Sequence, residues 1–295
     1  MTRRGSRVRS ILVRAALVPP ALSLLAAVGI FAGSEWILRR RHDVALGPQP
    51  ATITPTDTAE GRRRAVLLGC LKGCHGPEGE GGEEEAPGIF SVTAPTLTAV
   101  LPEYSEPELV RLVRFGVKRD GTSAVGMPAG TFYPTSDEDL VRISAHLRAR
   151  PRLAAVPRHR RILPLGRLAL VLGKWQIAAD QVDRARPRWG ELPRSSPFAR
   201  GRYLASVTCS ECHGLDFKGL AYFPSPSLAI VNGYHPAQFR RLLRTGEHLS
   251  GRSDGTMSKV AREAFAEFTD EEIDDLYAFL SETFAGAGLE TRPQG

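Results

Sequence analysis

The first pattern along the chain is a long stretch without charge. From residue 15 to residue 34 no Asp, Glu, Lys or Arg occurs, and about 20 apolar residues match the hydrocarbon thickness of a bilayer. The run predicts a membrane-spanning helix that accommodates Pro19 and Pro20, since neighbouring groups re-satisfy freed backbone atoms in such helices. Arg3, Arg4, Arg7, Arg9 and Arg14 precede it, and Arg39, Arg40 and Arg41 follow. The larger cluster marks the N-terminal side as cytoplasmic, which exports everything after residue 42. A cleaved signal peptide would have a shorter apolar stretch, about 7–15 residues, ending at a small-x-small site. Ala32, Gly33 and Ser34 are a weak match to such a site. Length and the trailing arginines favour an uncleaved anchor over residues 1–41, and both readings export the same chain.

Past a Pro/Thr-rich tether, residues 42–58, the pattern becomes helical and repeats. Two similar units are expected, residues 59–150 and 197–285. Each opens with a short helical pattern that begins at a glycine, Gly61 or Gly201, and leads to a pair of cysteines. Each has a middle helix that ends in glycine, residues 106–116 and 236–246. Each closes on an amphipathic helix with a capping-box start, Ser136 to Asp139 and Thr269 to Glu272. Leu140, Ile143 and Leu147 line one apolar face, and Ile273, Leu276, Tyr277 and Leu280 the other. No run of alternating strand residues stands out. The expected fold class is all-α, with two tandem domains after an N-terminal transmembrane helix, joined by a connector over residues 151–196 and ending in a tail over 286–295.

Charge modifies this picture in one place. The net charge is +7, but residues 1–41 hold eight arginines and one acid, and the remaining charges balance at 31 of each sign. Nucleic-acid binding loses its main support on that count. Within the remainder, residues 148–202 carry 14 Lys and Arg against three acids. This basic connector lies between two acidic units, and a surface that pairs with its neighbours is preferred to a docking site. Glu78, Glu80, Glu83, Glu84 and Glu85 read as a solvated loop, or as a patch that steers a basic partner. Residues 163–175 hold an apolar run too short to cross a bilayer. A helix wedged between the domains or one lying on the membrane surface both fit it.

The chemistry resides in the four cysteines, which form two close pairs. Cys209, Cys212 and His213 spell C-x-x-C-H, the attachment signature of c-type haem. Each thiol adds to one porphyrin vinyl group as a thioether, and the adjacent histidine is carried under the iron. Cys70, Cys74 and His75 form a C-x-x-x-C-H variant, whose extra residue must loop out beside a permissive Gly73. The chain has only three methionines, and the two internal ones, Met127 and Met257, fall once per unit between the middle and closing helices. Axial ligation explains that placement better than gap-filling in a core. A ligating histidine also needs an acceptor for its other ring N–H, and the carbonyls of Pro95 and Pro226 are candidates.

On these motifs both units resemble class I cytochrome c domains. The stretch around Gly126, Met127 and Pro128, followed by the helix that starts at Ser136, is similar to that family's methionine loop and final helix. The resemblance implies terminal helices that cross in each domain, and haem in a hydrophobic crevice. It implies two covalently bound haem c groups, on Cys70, Cys74 and His75 and on Cys209, Cys212 and His213, with Met127 and Met257 as the sixth ligands. His235 and His248 are the substitutes for Met257. The connector resembles that of diheme cytochromes of the membrane-bound dehydrogenase type.

The expectation is an electron carrier without catalytic residues, in a periplasmic or respiratory chain at a bacterial inner membrane. It would serve alone or as the cytochrome subunit of a dehydrogenase or terminal oxidase, with redox proteins as partners. Two other readings stay open. A diheme peroxidase needs one iron that can open a coordination position, for which His146, His159, His235 and His248 are spare imidazoles. A zinc-binding interaction protein would use the Cys/His groups as ligands.

Overall fold

The computed structural model describes residues 3–47, 58–220 and 225–286, with side chains from Val18 onward. Most of the expected tether and all but the first residue of the expected tail lie outside those residues. The uncharged run belongs to one helix, α1 (Arg3–Arg39), with both prolines inside it. Its segment Val18–Arg39 is long and apolar enough to cross a membrane. Only 11% of that window is buried against protein, whereas the core helix of a globular domain would be mostly covered.

The first unit contains α2 (Thr58–Leu67), β1 (Gly82–Ala86), β2 (Phe90–Ala94), α3 (Leu97–Val100), α4 (Glu106–Phe115), α5 (Ala129–Phe132) and α6 (Asp137–Ala149). The connector supplies β3 (Arg160–Ile162) and α7 (Pro164–Val171). The second unit contains α8 (Pro197–Thr208), α9 (Ser210–His213), α10 (Pro236–Thr245), α11 (Thr256–Glu263) and α12 (Asp270–Thr283). The closing helices start where their caps predict. Ser136 accepts from Asp139 N–H at 3.1 Å, and Thr269 forms a full capping box with Glu272.

Opening and closing helices cross in each unit, and a glycine sits at each crossing. A Cβ on Gly61 would lie 2.1 Å from the Arg142 carbonyl oxygen of α6. A Cβ on Gly201 would lie 1.9 Å from the Asp275 carbonyl oxygen of α12. Only a residue without a side chain lets the backbones approach that closely. The middle helices repeat a second device. Arg114 of α4 donates to the Thr135 carbonyl at 2.6 Å and pairs with Asp137 at 2.7 Å. Arg244 of α10 donates to the Ala266 carbonyl at 2.6 Å and to Asp270 at 2.8 Å.

Two expectations need correction. The chain is mostly helical rather than all-α, because β1, β2 and β3 form an antiparallel sheet in that order. Glu83, Glu84 and Glu85 are therefore strand residues, paired with Thr93, Val92 and Ser91. Their acidity hid the strand, which is held by its ladder and by Glu83 accepting from Ser91 Oγ at 2.7 Å. The connector is built into this part of the fold. β3 completes the sheet, and Ile162, Leu170 and Ile177 form a small core with Leu38 from the end of α1. The stacked rings of Phe90 and Trp175 pack against it. Among the described residues, seven of the 14 basic residues over 148–202 form ion pairs, for example Arg150 with Glu78, Arg158 with Glu103, and Arg194 with Glu138.

The main apolar core runs through both units without a break, from Ala65 and Leu71 through Phe132 and Leu147 to Tyr203, Phe239 and Leu280. Polar groups clamp its edge. Arg63 holds Glu272 through two hydrogen bonds, Arg64 reaches Glu272 at 2.9 Å, and Tyr203 donates to Asp139 at 2.5 Å. Burial works to raise the Glu272 carboxyl, but the Arg63 hydrogen bonds and the Arg64 charge outweigh it and hold the group below its ordinary range.

Candidate haem-attachment sites

The second motif is a helical turn. Cys209 caps the C-terminus of α8, α9 carries Ser210 to His213, and His213 N–H closes on the Cys209 carbonyl at 2.9 Å. The histidine ring is then fixed from the other side of a loop, since Nδ1 lies 2.8 Å from the Pro226 carbonyl oxygen. With Nδ1 as donor, Nε2 is left with its lone pair as a metal ligand. Burial pushes the His213 pKa down, which favours the neutral ring that ligation requires.

The first motif reaches the same end by a different backbone. Its extra residue is absorbed at Lys72, which takes a left-handed conformation with φ 62°. Gly73 serves another purpose than the expected loop-out. A Cβ there would lie 2.3 Å from the Gly69 carbonyl oxygen, so its role is close approach. His75 nevertheless meets the expected acceptor, with Nδ1 2.9 Å from the Pro95 carbonyl oxygen. Burial lowers its pKa as well.

The two histidine cradles agree in detail. The His75 carbonyl accepts from Gly81 N–H at 2.8 Å, and the His213 carbonyl accepts from Gly219 N–H at 2.8 Å. Gly81 and Gly219 have φ of 84° and 87°, and a Cβ on either would lie 2.5 Å from the carbonyl oxygen of Ala94 or Ser225, just before the proline. These glycines hold the proline loop against the histidine turn. Neither was recognised from sequence, although each falls six residues after its histidine.

Met127 and Met257 are both half-buried and pack against the main core. Met127 lies in a loop just ahead of α5. Met257 departs from the expected loop position and occupies the first turn of α11. Of its possible substitutes, His248 bonds Ser258 Oγ through Nε2 at 3.1 Å. His235 is exposed at the start of α10. His159 is tied to Ser91, Thr93 and Glu83, and His146 lies in α6.

The donor set fits covalent haem. Each unit offers two thiols, an adjacent imidazole of fixed tautomer and a thioether. Burial pushes Cys70 and Cys209 up to about 11. Cys74 rises to about 11 through burial, then through the charges of Glu84 and Glu211. Glu211 stands between Cys209 and Cys212, so the two motifs lie within electrostatic reach of each other. Among the described residues no three His, Cys, Asp or Glu side chains converge as a metal site of their own.

The second motif and its cradle fit a c-type haem-attachment site. A family model described as Cytochrome c matches residues 198–284, so the chain carries a cytochrome c domain over the second unit. Such a domain implies covalently bound haem c and electron transfer, and suggests a carrier rather than an enzyme. No curated protein matches the chain.

Proposed function

We propose that the chain is a membrane-anchored, two-haem c-type cytochrome. It would carry electrons on the periplasmic face of a bacterial inner membrane, alone or as the cytochrome subunit of a dehydrogenase or terminal oxidase. The observation that carries the two-haem reading is the repeated histidine cradle. A relic that no longer held haem would have no use for a carbonyl acceptor on His75 or for the Gly81 contact behind it, yet both match the second unit atom for atom.

Cys70, Cys74 and His75 would hold the first group, and Cys209, Cys212 and His213 the second, with Met127 and Met257 as the remaining ligands. The bound group supplies the one-electron couple. The chain's own residues orient the imidazoles through the proline carbonyls and surround the site with apolar side chains. Filled His/Met ligation leaves no position for a substrate and raises the potential. α1 would hold both units at the membrane.

The test is a haem count on the full chain, produced with a haem-maturation system. Pyridine haemochrome and protein mass should give two haems, and Cys70→Ser with Cys74→Ser should leave one. A single haem in the unsubstituted chain would reduce the reading to the second unit, and none would overturn it.

A further inference from the structure

The helix α7 has two faces of opposite character. Gly166 and Leu170 turn inward, where Leu170 packs with Leu38, Ile162 and Ile177. Leu165, Leu168, Val171 and Leu172 turn outward as one apolar stripe, with Leu165 59% and Leu172 61% exposed. The only charge on the helix, Arg167, does not interrupt the stripe. It is drawn against α1, donating to Ser34 Oγ at 2.7 Å, pairing with Glu35 at 2.9 Å and lying 4.2 Å over the Phe31 ring.

The position of the stripe matters more than its polarity. α7 packs against the C-terminal end of α1, where a Cβ on Gly33 would meet Val171 at 3.3 Å. Gly33 is six residues short of Arg39, about 9 Å along the helix axis. Apolar faces of interfacial helices sit about 5–10 Å into the boundary between headgroups and acyl chains. Val171 therefore lies within about two helical turns of the end of the candidate span, near the boundary region if Val18–Arg39 crosses the bilayer. Trp36 on α1 is 66% exposed beside the same region, a position suited to the aromatic belt of a membrane interface. Lys174, also exposed, follows the stripe and can reach lipid headgroups.

We propose that α7 is a second membrane contact. Its Leu165, Leu168, Val171 and Leu172 face lies in the outer leaflet beside the anchor, and the occupant of that face is lipid. The inference rests on the membrane reading of α1. The stripe packs beside α1, on which Val28 and Phe31 are exposed as well. A solvent-facing patch of this size next to a bilayer would be covered by it. Two points of contact then fix the tilt of the haem units relative to the membrane, which one helix alone would leave free to rotate.

The experiment is site-directed spin labelling of the full, haem-loaded chain in phosphatidylethanolamine/phosphatidylglycerol vesicles. Single substitutions Leu165→Cys, Leu172→Cys, Ala26→Cys and Asp274→Cys are compared by collision with oxygen, which enters lipid, and with a water-soluble nickel chelate. The unsubstituted chain serves as the labelling blank. The expected result is several-fold preference for oxygen at 165 and 172, shallower than at 26, and preference for nickel at 274. If 165 and 172 behave like 274 while 26 remains in lipid, the proposal falls and the anchor stands. If 26 is also in water, the anchor reading itself has failed. Labels at 165 and 172 that are immobilised and shielded from both reagents would place protein on the stripe and overturn the lipid assignment.

Discussion

Arg63 and Glu272 are joined by two hydrogen bonds, Nη1 to Oε2 at 2.5 Å and Nη2 to Oε1 at 2.9 Å. Arg63 lies two residues after Gly61 in the first unit's opening helix, and Glu272 is the N3 acid of the second unit's closing helix. The reciprocal contact exists. Tyr203, two residues after Gly201, donates to Asp139, the third residue of the first unit's closing helix. The units thus meet through equivalent surfaces, as the subunits of a two-fold dimer do, with different side chains on each side.

Breaking this clamp should loosen the unit boundary. Glu272→Gln removes the charge that both arginines share, at a cost on the order of 2 kcal/mol for charge-assisted bonds in a partly buried site. Denaturant unfolding of the haem-loaded chain checks the loss.

The same clamp makes stability depend on pH with a definite sign. Glu272 and Glu60 are held below the ordinary 4.5 despite burial, because Arg63 and Arg64 favour their charged forms. The unfolded chain then takes up protons first as pH falls. The contribution is fully present above about pH 4.5 and is lost as pH drops through the lower folded values. Unfolding midpoints measured from pH 6 down to about pH 3 should fall more steeply for the parent chain than for Glu272→Gln.

The crossing glycines should tolerate no side chain. Gly61→Ala and Gly201→Ala each place a methyl about 2 Å from a backbone carbonyl of the partner helix. Overpacking of this kind costs about 1–3 kcal/mol. Gly47→Ala, with open space around it, is the control expected to change nothing. Thermal melts of the three variants test the contrast.

Gly81→Ala and Gly219→Ala act on the histidine cradle instead. Each strains a left-handed residue and pushes the proline carbonyl from its imidazole. A weaker Nδ1 hydrogen bond makes the ligand less basic and moves the potential of one haem while leaving the other in place. Spectroelectrochemical titration should show one of two waves displaced in each variant. Displacement of both waves by one substitution would point to general loosening of the fold.

The features that were legible share a local cause. The closing helices follow from their Ser136 and Thr269 caps and apolar period, and the proline acceptors from the need to fix a ligating histidine. What was missed depends on approach in space. β1 has no alternating pattern because three consecutive glutamates run through it, and β3, which pairs with the other edge of β2, is three residues long and some 70 positions from β2. The Arg63–Glu272 clamp spans 209 positions, so nothing near either residue announces it. Gly81 and Gly219 were within reach, since laying one repeat over the other brings them into register. Met257 was expected in a loop because Gly255 precedes it, and that glycine instead marks the start of α11.

The small core beneath the first unit bears on the order in which the chain can assemble. Arg40 and Asp180, which pair beside that core, are 140 positions apart. A chain threaded N-terminus first can cross α2 and α6 once residue 150 has emerged. It cannot complete its sheet or seat the end of α1 until residues 160–180 follow, and it pays the loop-closure entropy of that delay. A fragment cut at residue 150, the boundary the repeat suggests, would leave β2 without its outer strand as an open edge prone to association. The first unit's own sheet and small core therefore extend to about residue 181, past the point where its half of the internal repeat stops.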